Sequence, residues 1–217
     1  MTSAGSTTGR NRVGWGPSGW QPVAVQTHRP LAGLLVIDEC LSAEDLDLLA
    51  GVIDSVEFEP QDLGRGGIAV RFRGASDDSR IPTLLWDRLR PVLPPVATFF
   101  GPSGHRPNLE PPLESWRAVG CNPRSRLYRY GPGASFSPHQ DEPWRPYALT
   151  RSLLTVLVYA NTAECDGGET VVEGEVVTAV PGRVVIFDHS LRHEGKSVLS
   201  GTKLVIRSDI IASAAAH

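Results

Sequence analysis

The chain has 217 residues, enough for one domain with a substantial core. Hydrophobic residues make up 41% and charged residues 21%, and the formal net charge is −3. That balance carries no electrostatic footprint for nucleic acid or an anionic membrane, and no apolar run is long enough to span a bilayer.

Three cysteines, Cys40, Cys121 and Cys165, lie far apart and form no CxxC pair. This fits a reduced, cytoplasmic protein better than a disulfide scaffold or a zinc ribbon. The basic residues are nearly all arginine, with lysine only at Lys196 and Lys203, so the place of each lysine matters.

In chain order, residues 1–28 are rich in Gly, Ser, Thr and Arg, lack an apolar signal-peptide core, and read as a flexible N-terminal arm. Residues 29–217 read as one domain, with helical support over about 29–116 and a β core over about 117–212. "LLVID" is a short apolar strand. Ser42, with Asp45 three residues on, is a variant capping box, and Leu46, Leu49, Val52 and Ile53 follow at helical spacing. "IAVRFR" (68–73) is a second strand. "DSRIPTLLWDRLRPVL" is a second amphipathic helix with Ile81, Leu84, Leu85 and Leu89 on one face, ending near Pro91 and Pro94. Residues 100–116, rich in Pro and Gly, read as a long surface loop. From there the texture changes. "SRLYRY", "LLTVLVYA", "GETVV", "EVVTAV", "RVVIF" and "KLVIRSDII" recur between turns with no helical period among them, the pattern of a sandwich or closed barrel.

Within this β region His139 and Asp141 stand two apart in "SPHQDEP", so an extended backbone points both side chains to one face. Imidazole plus carboxylate suits a first-row metal such as Fe(II), but H-x-D alone matches by chance about 0.3 times in a chain of this composition. A turn histidine beside a capping aspartate is the bland alternative. His193, in "LRHEG" beyond the strand "RVVIF", supplies a third ligand if a returning strand brings it alongside. Two histidines and one carboxylate make a facial triad with open coordination positions. Lys203 follows ten residues later, opening an apolar strand.

In this order the motifs "RLYRYGPGASFSPHQD", "LLTVLVYAN", "DGGETVV", "VPGRVVIF", "RHEGKSV" and "GTKLVIRSDI" resemble the 2-oxoglutarate/Fe(II)-dependent dioxygenases, in their prolyl 4-hydroxylase-like branch. The resemblance is dense over 117–212 and looser from about 31. "VYAN" stands where the family has a "YLN"-like strand, and the turn of "VPGRVVIF" is compressed. The resemblance implies a mostly β fold with flanking helices, built on a double-stranded β-helix or jelly-roll core.

It also implies a set of roles. His139, Asp141 and His193 would bind Fe(II). Lys203 and Tyr130 would hold the distal carboxylate of 2-oxoglutarate, with Thr170 as a further hydroxyl donor or simply a strand residue. O₂ would be the oxidant, with succinate and CO₂ released. The carboxylate of Asp141 favours oxygen insertion over halogenation. His189, four residues before His193, has the wrong spacing to Lys203 for a ligand and reads as structural or solvent-exposed. His28, His105 and His217 have no partners in sequence.

Strand parity puts Arg126 on the face of Tyr128 and Tyr130, and Arg207 on the face of Lys203, Val205 and Asp209. Arg126 or Arg207 would then clamp an anionic group of a small substrate, and Tyr128 would either face that substrate or pack in the core. An Arg207–Asp209 structural pair is the alternative for Arg207. The expected activity is hydroxylation of a small molecule, such as an amino acid or natural-product intermediate. The alternatives are a protein or peptidyl-prolyl hydroxylase, and an inactive jelly roll that binds a metal or ligand.

Overall fold

The computed structural model describes residues 26–63, 69–100, 111–161 and 165–214. Strands β1 (Gln26–His28) and β2 (Leu34–Asp38) precede helix α1 (Ala43–Asp54). The paired strands β3 (Glu59–Leu63) and β4 (Ala69–Ser76) lead to helices α2 (Arg80–Leu89) and α3 (Val96–Phe99). A 3-10 turn at Leu113–Ser115 precedes β5 (Trp116–Cys121), β6 (Ser125–Tyr130) and β7 (Phe136–His139). The long β8 (Thr150–Tyr159) is followed by β9 (Asp166–Gly167), β10 (Thr170–Val172) and β11 (Glu175–Val177). Then come β12 (Val184–Asp188), β13 (His193–Gly195), β14 (Val198–Ser200) and the long β15 (Lys203–Ala214).

The larger sheet runs β1-β2-β12-β8-β15-β6-β4-β3, with β5 continuing alongside β15; the smaller runs β11-β10-β13-β7, and β9 pairs with β14. All pairings are antiparallel. This is the mostly β, helix-flanked architecture expected from the sequence, with a double-stranded β-helix core.

Alternation along the central strands explains why they are apolar throughout. On β12, Val184 and Ile186 join one apolar cluster, while Val185 and Phe187 join another. On β2, Leu35 and Ile37 likewise face the first cluster, and Leu34 and Val36 the second. The first cluster includes Leu49, Val52 and Ile53 of α1 and Ile81, Leu85 and Leu89 of α2. The second includes Val172 of the smaller sheet and lies inside the roll. A sheet covered on both faces has no polar side, hence the near-continuous hydrophobic runs.

The helices form as their sequences require. Ser42 Oγ accepts from Asp45 N–H at 3.1 Å and the Asp45 carboxylate accepts from Ser42 N–H at 3.0 Å, closing the expected capping box. Asp45 is also gripped by Arg88 of α2 at 2.8 and 2.9 Å, which fastens the two helices together.

Three features differ from the sequence reading. Gln26–His28 is not part of an arm but an edge strand, and His28 has a partner, Asp38, at 2.6 Å. Trp116, placed by sequence in a surface loop, is fully buried and starts β5. Its indole N–H donates to the Pro111 carbonyl at 2.8 Å, so the ring sits in the core with its polar atom satisfied. Residues 1–25 and 101–110, with His105, and His217 lie outside the described residues.

Candidate active site

His139 is the last residue of β7 and His193 the first of β13, and these strands pair so that the two histidines stand directly opposite. Their ring centroids are 4.2 Å apart. Asp141 lies just past β7, its carboxylate 3.6 Å from His193 Nε2. One ligand atom from each of the three falls within 4.8 Å of the others, the one such cluster of metal-binding side chains among the described residues.

Each ring is already aimed. His139 Nδ1 lies 2.8 Å from the Ser137 carbonyl, and His193 Nδ1 lies 3.0 Å from the Leu191 carbonyl. A carbonyl only accepts, so both Nδ1 atoms carry the proton and both Nε2 lone pairs face the gap. Burial, opposed by the Leu191 carbonyl and Asp141 and assisted by His139, holds the His193 pKa below its ordinary value. The neutral, ligating form is therefore favoured.

Asp141 is fixed from behind. Thr155 of β8 donates its hydroxyl to Asp141 Oδ2 at 2.5 Å. A hydroxyl has one proton, so the 2.8 Å contact between Thr155 Oγ1 and His189 Nδ1 must be a donation from the imidazole. His189 Nε2 meets Ser152 Oγ at 2.9 Å, and that oxygen accepts from Trp144 N–H at 2.8 Å. The Asp141 N–H itself donates to the His189 carbonyl at 3.0 Å. His189 is therefore buried and structural rather than exposed, and both its nitrogens are engaged away from the metal cluster.

Arg207, on the inward face of β15, puts one guanidinium nitrogen 3.1 Å from Asp141 and 3.2 Å from Asp209. It lines the cavity, and it is paired with Asp209, the structural alternative considered for it. Burial raises the Asp209 pKa against the pull of His189, Asn122 and Arg126.

A cavity of about 130 Å³ runs from this cluster into the roll. At its deep end lies Lys203, 4% exposed, which opposes Tyr130 across the β15–β6 pair. Its ammonium donates to the Gly168 carbonyl at 2.5 Å and lies over the rings of Tyr130 and Tyr159 at 5.5 and 5.3 Å. No carboxylate pairs with it among the described residues. Burial pulls its pKa down to about 8. A buried cation is tolerated only when it is paired, so this one is built to receive an anion.

The "GGET" turn explains itself here. Gly167 and Gly168 both have positive φ (72° and 70°), and a Cβ on Gly168 would press on the Lys203 side chain at 3.1 Å. Only glycine lets the backbone carbonyl come this close. Thr170 follows, 3% exposed, its oxygen accepting from the Tyr159 hydroxyl at 2.8 Å. Its own proton is thereby left to donate into the cavity. Burial raises the pKa of Tyr130, and of Tyr159 to about 12, so both stay protonated donors.

All nine residues singled out in the sequence line this one cavity: His139, Asp141, His193, Tyr130, Lys203, Thr170, Arg126, Tyr128 and Arg207. Thr155 and His189 escaped as Asp141 supports because that role needs β8, fourteen residues on from Asp141, to lie beneath it. Arg71 escaped as well. It stacks 4.4 Å from the ring centroid of Phe136, which lines the cavity, and the signal for it is only the strand "IAVRFR".

Residues 125–208 match the family model of the 2OG-Fe(II) oxygenase superfamily. The fold is similar to a prolyl-4-hydroxylase of Pseudomonas putida, at 18% identity and a TM-score of 0.54, over 82% of this chain and 92% of that one. It is also similar to a prolyl hydroxylase of Trichoplax adhaerens in complex with a hypoxia inducible factor peptide fragment (19%, TM-score 0.52, 82% and 83%). A third similar structure is HygX of Streptomyces hygroscopicus with nickel, 2-oxoglutarate and hygromycin B bound (14%, TM-score 0.51, 84% and 83%). No curated protein matches the chain in sequence. Residues 125–208 thus carry the pattern of the 2OG-Fe(II) oxygenase superfamily, that of an oxidoreductase of the dioxygenase type. Prolyl hydroxylases are among the folds the chain is similar to. Its cofactors are Fe(II) and 2-oxoglutarate, with His139, Asp141 and His193 able to take the iron.

Proposed function

We propose that the protein hydroxylates a C–H bond of an anionic small molecule, in a reaction dependent on Fe(II), 2-oxoglutarate and O₂ that releases succinate and CO₂. The observation that carries this reading is one cavity with a His-Asp-His cluster at one end and an unpaired buried ammonium at the other. His139, Asp141 and His193 hold the metal, which when bound supplies the oxidising chemistry. Lys203 pairs with the distal carboxylate of 2-oxoglutarate, and the hydroxyls of Tyr130 and Thr170 donate to it. Val205, Leu157 and Phe136 wall the cavity and keep water from the reacting carbon. Thr155 and Arg207 hold the Asp141 carboxylate in place, so Arg126 is left as the arginine available to the substrate.

The test is succinate formation from 2-oxoglutarate, dependent on Fe(II) and O₂ and stimulated by candidate substrates. No turnover by iron-loaded protein over a broad panel would leave the inert ligand-binding reading in its place. A peptidyl-prolyl substrate is the second reading, favoured by the prolyl hydroxylases among the similar folds. Stimulation by proline-containing peptides alone would establish it.

A further inference from the structure

Beside the metal cluster the larger sheet carries a second set of charges. In the β4–β6 pair, Arg71 stands opposite Tyr130, Arg73 opposite Tyr128 and Ala75 opposite Arg126. Directly opposed residues of antiparallel strands share a face. Tyr128, Tyr130 and Arg126 line the cavity, so Arg71 and Arg73 extend the same wall outward. Arg71 is half-buried, its guanidinium over Phe136 and its Nε buried with no hydrogen-bond partner. Arg126 is half-buried and Arg73 exposed at the rim. The charges of Arg73, Arg126 and Arg71 all bear on the Tyr128 hydroxyl, opposing the upward pull of burial on its pKa.

None of the three arginines forms an ion pair with a carboxylate among the described residues, although the register sets Glu59 across the strand pair from Arg73 and Asp62 across from Arg71. Other buried or half-buried arginines are paired with carboxylates, Arg88 with Asp45, Arg183 with Asp38 and Arg207 with Asp141 and Asp209, while Arg129 and Arg151 lie over aromatic rings. Three guanidiniums sharing one face repel one another, in a chain whose net charge is −3. An anion arriving there gains from all three, and bidentate geometry makes guanidinium the group suited to carboxylate or phosphate.

We propose that Arg71, Arg73 and Arg126 form a cradle for a small substrate bearing at least two negative charges, such as a phosphate ester or a polycarboxylate. It rests on the oxygenase reading and adds the substrate class. One negative charge would offset a single guanidinium; a doubly charged group spans the wall from Arg126 to Arg71. Tyr128 sits between them as a hydroxyl donor, and the oxidisable carbon then faces the His139–Asp141–His193 cluster.

The experiment titrates a matched aromatic set, phenyl phosphate, isophthalate, benzoate and benzamide, into protein loaded with Mn(II) and saturating 2-oxoglutarate, by calorimetry. Phenyl phosphate, isophthalate or both should bind more tightly than benzoate, with benzamide weakest. Whichever doubly charged probe prevails tells phosphate from carboxylate. Arg73→Gln and Arg126→Gln should each weaken that probe about tenfold, the loss of one charge-assisted contact. Titration of 2-oxoglutarate into the same variants confirms that they are folded. Benzamide binding as well as the anions, anion binding insensitive to both variants, or no probe binding while 2-oxoglutarate still binds would each overturn the cradle. Failure of the parent protein to bind 2-oxoglutarate would instead overturn the oxygenase site.

Discussion

The two ends of the cavity are built on opposite principles. At the metal end nearly every polar group already has a protein partner: the Nδ1 atoms of His139 and His193 meet backbone carbonyls, and Asp141 meets Thr155 and Arg207. At the deep end Lys203 holds a buried ammonium with one carbonyl and two aromatic faces for company. The first arrangement costs little in the free protein and fixes geometry in advance. The second is unfavourable until an anion comes, so binding recovers what folding gave up. The contrast separates residues that orient from residues that wait.

Breaking the metal end at a ligand has the largest effect. His193→Ala or Asp141→Ala should lower 2-oxoglutarate turnover on the order of a thousandfold or more, with metal binding lost in a Mn(II) titration. Removing the waiting charge should split stability from binding. Lys203→Met should weaken 2-oxoglutarate about a hundredfold, since a charge-assisted bond in a dry site is lost. The same change should raise the melting temperature of the free protein by a few degrees, because an uncompensated buried charge disappears. A fall in melting temperature would mean that the ammonium is paired in the free protein after all.

The lowered Lys203 pKa makes a pH prediction with a definite sign. Below about 8 the ammonium is charged in both folded and unfolded states, and its burial cost is fully present. As pH rises from about 8 toward the ordinary 10.5, the folded protein sheds the proton first and the cost is relieved. Binding of 2-oxoglutarate must restore that proton, so affinity should fall above pH 8 by up to about tenfold per unit. Calorimetry in buffers of different ionisation enthalpy should show proton uptake there. Lys203→Arg, whose charge persists, should abolish the slope.

The orienting groups should cost less. Thr155→Val removes the hydroxyl donated to Asp141 and leaves His189 Nδ1 without its acceptor. Mn(II) affinity should drop about tenfold, as for other partners of metal ligands, with 2-oxoglutarate affinity at saturating metal little changed. Arg207→Gln should behave in the same way. If it weakened substrate but not metal, Arg207 would belong to the cradle instead.

What the sequence made legible follows the same division. Ligands and the lysine stand in short motifs, so the resemblance of those motifs to a known family implies roles for His139, Asp141, His193, Tyr130 and Lys203, and the structure brings all five to one cavity. Supporting groups depend on register between distant strands. Thr155 reaches Asp141 because β8 lies beside β15 and β12, and Arg71 and Arg73 stand opposite the cavity-lining Tyr130 and Tyr128 only through the β4–β6 pairing. Nothing within "IAVRFR" says which strand it joins. Trp116 reads as loop for the same reason: it follows the polar and Pro-bearing stretch "PPLES", whereas its burial comes from β15 and the apolar cluster under the helices.

The smallest test lies between the two ends, at Tyr159 and Thr170, where orienting and waiting share one hydrogen bond. Tyr159 donates and Thr170 accepts, leaving the threonine proton for the co-substrate. Tyr159→Phe removes the donor but not that proton. It should cost about 1 kcal/mol of stability and change 2-oxoglutarate affinity less than about threefold. Thr170→Val strands the Tyr159 hydroxyl in a fully buried site and also removes the donor proposed for 2-oxoglutarate. It should cost about 1–3 kcal/mol in urea unfolding and weaken 2-oxoglutarate several-fold. Equal effects from the two variants would show that Thr170 serves only as the acceptor for Tyr159, and would leave Tyr130 and Lys203 to hold the carboxylate.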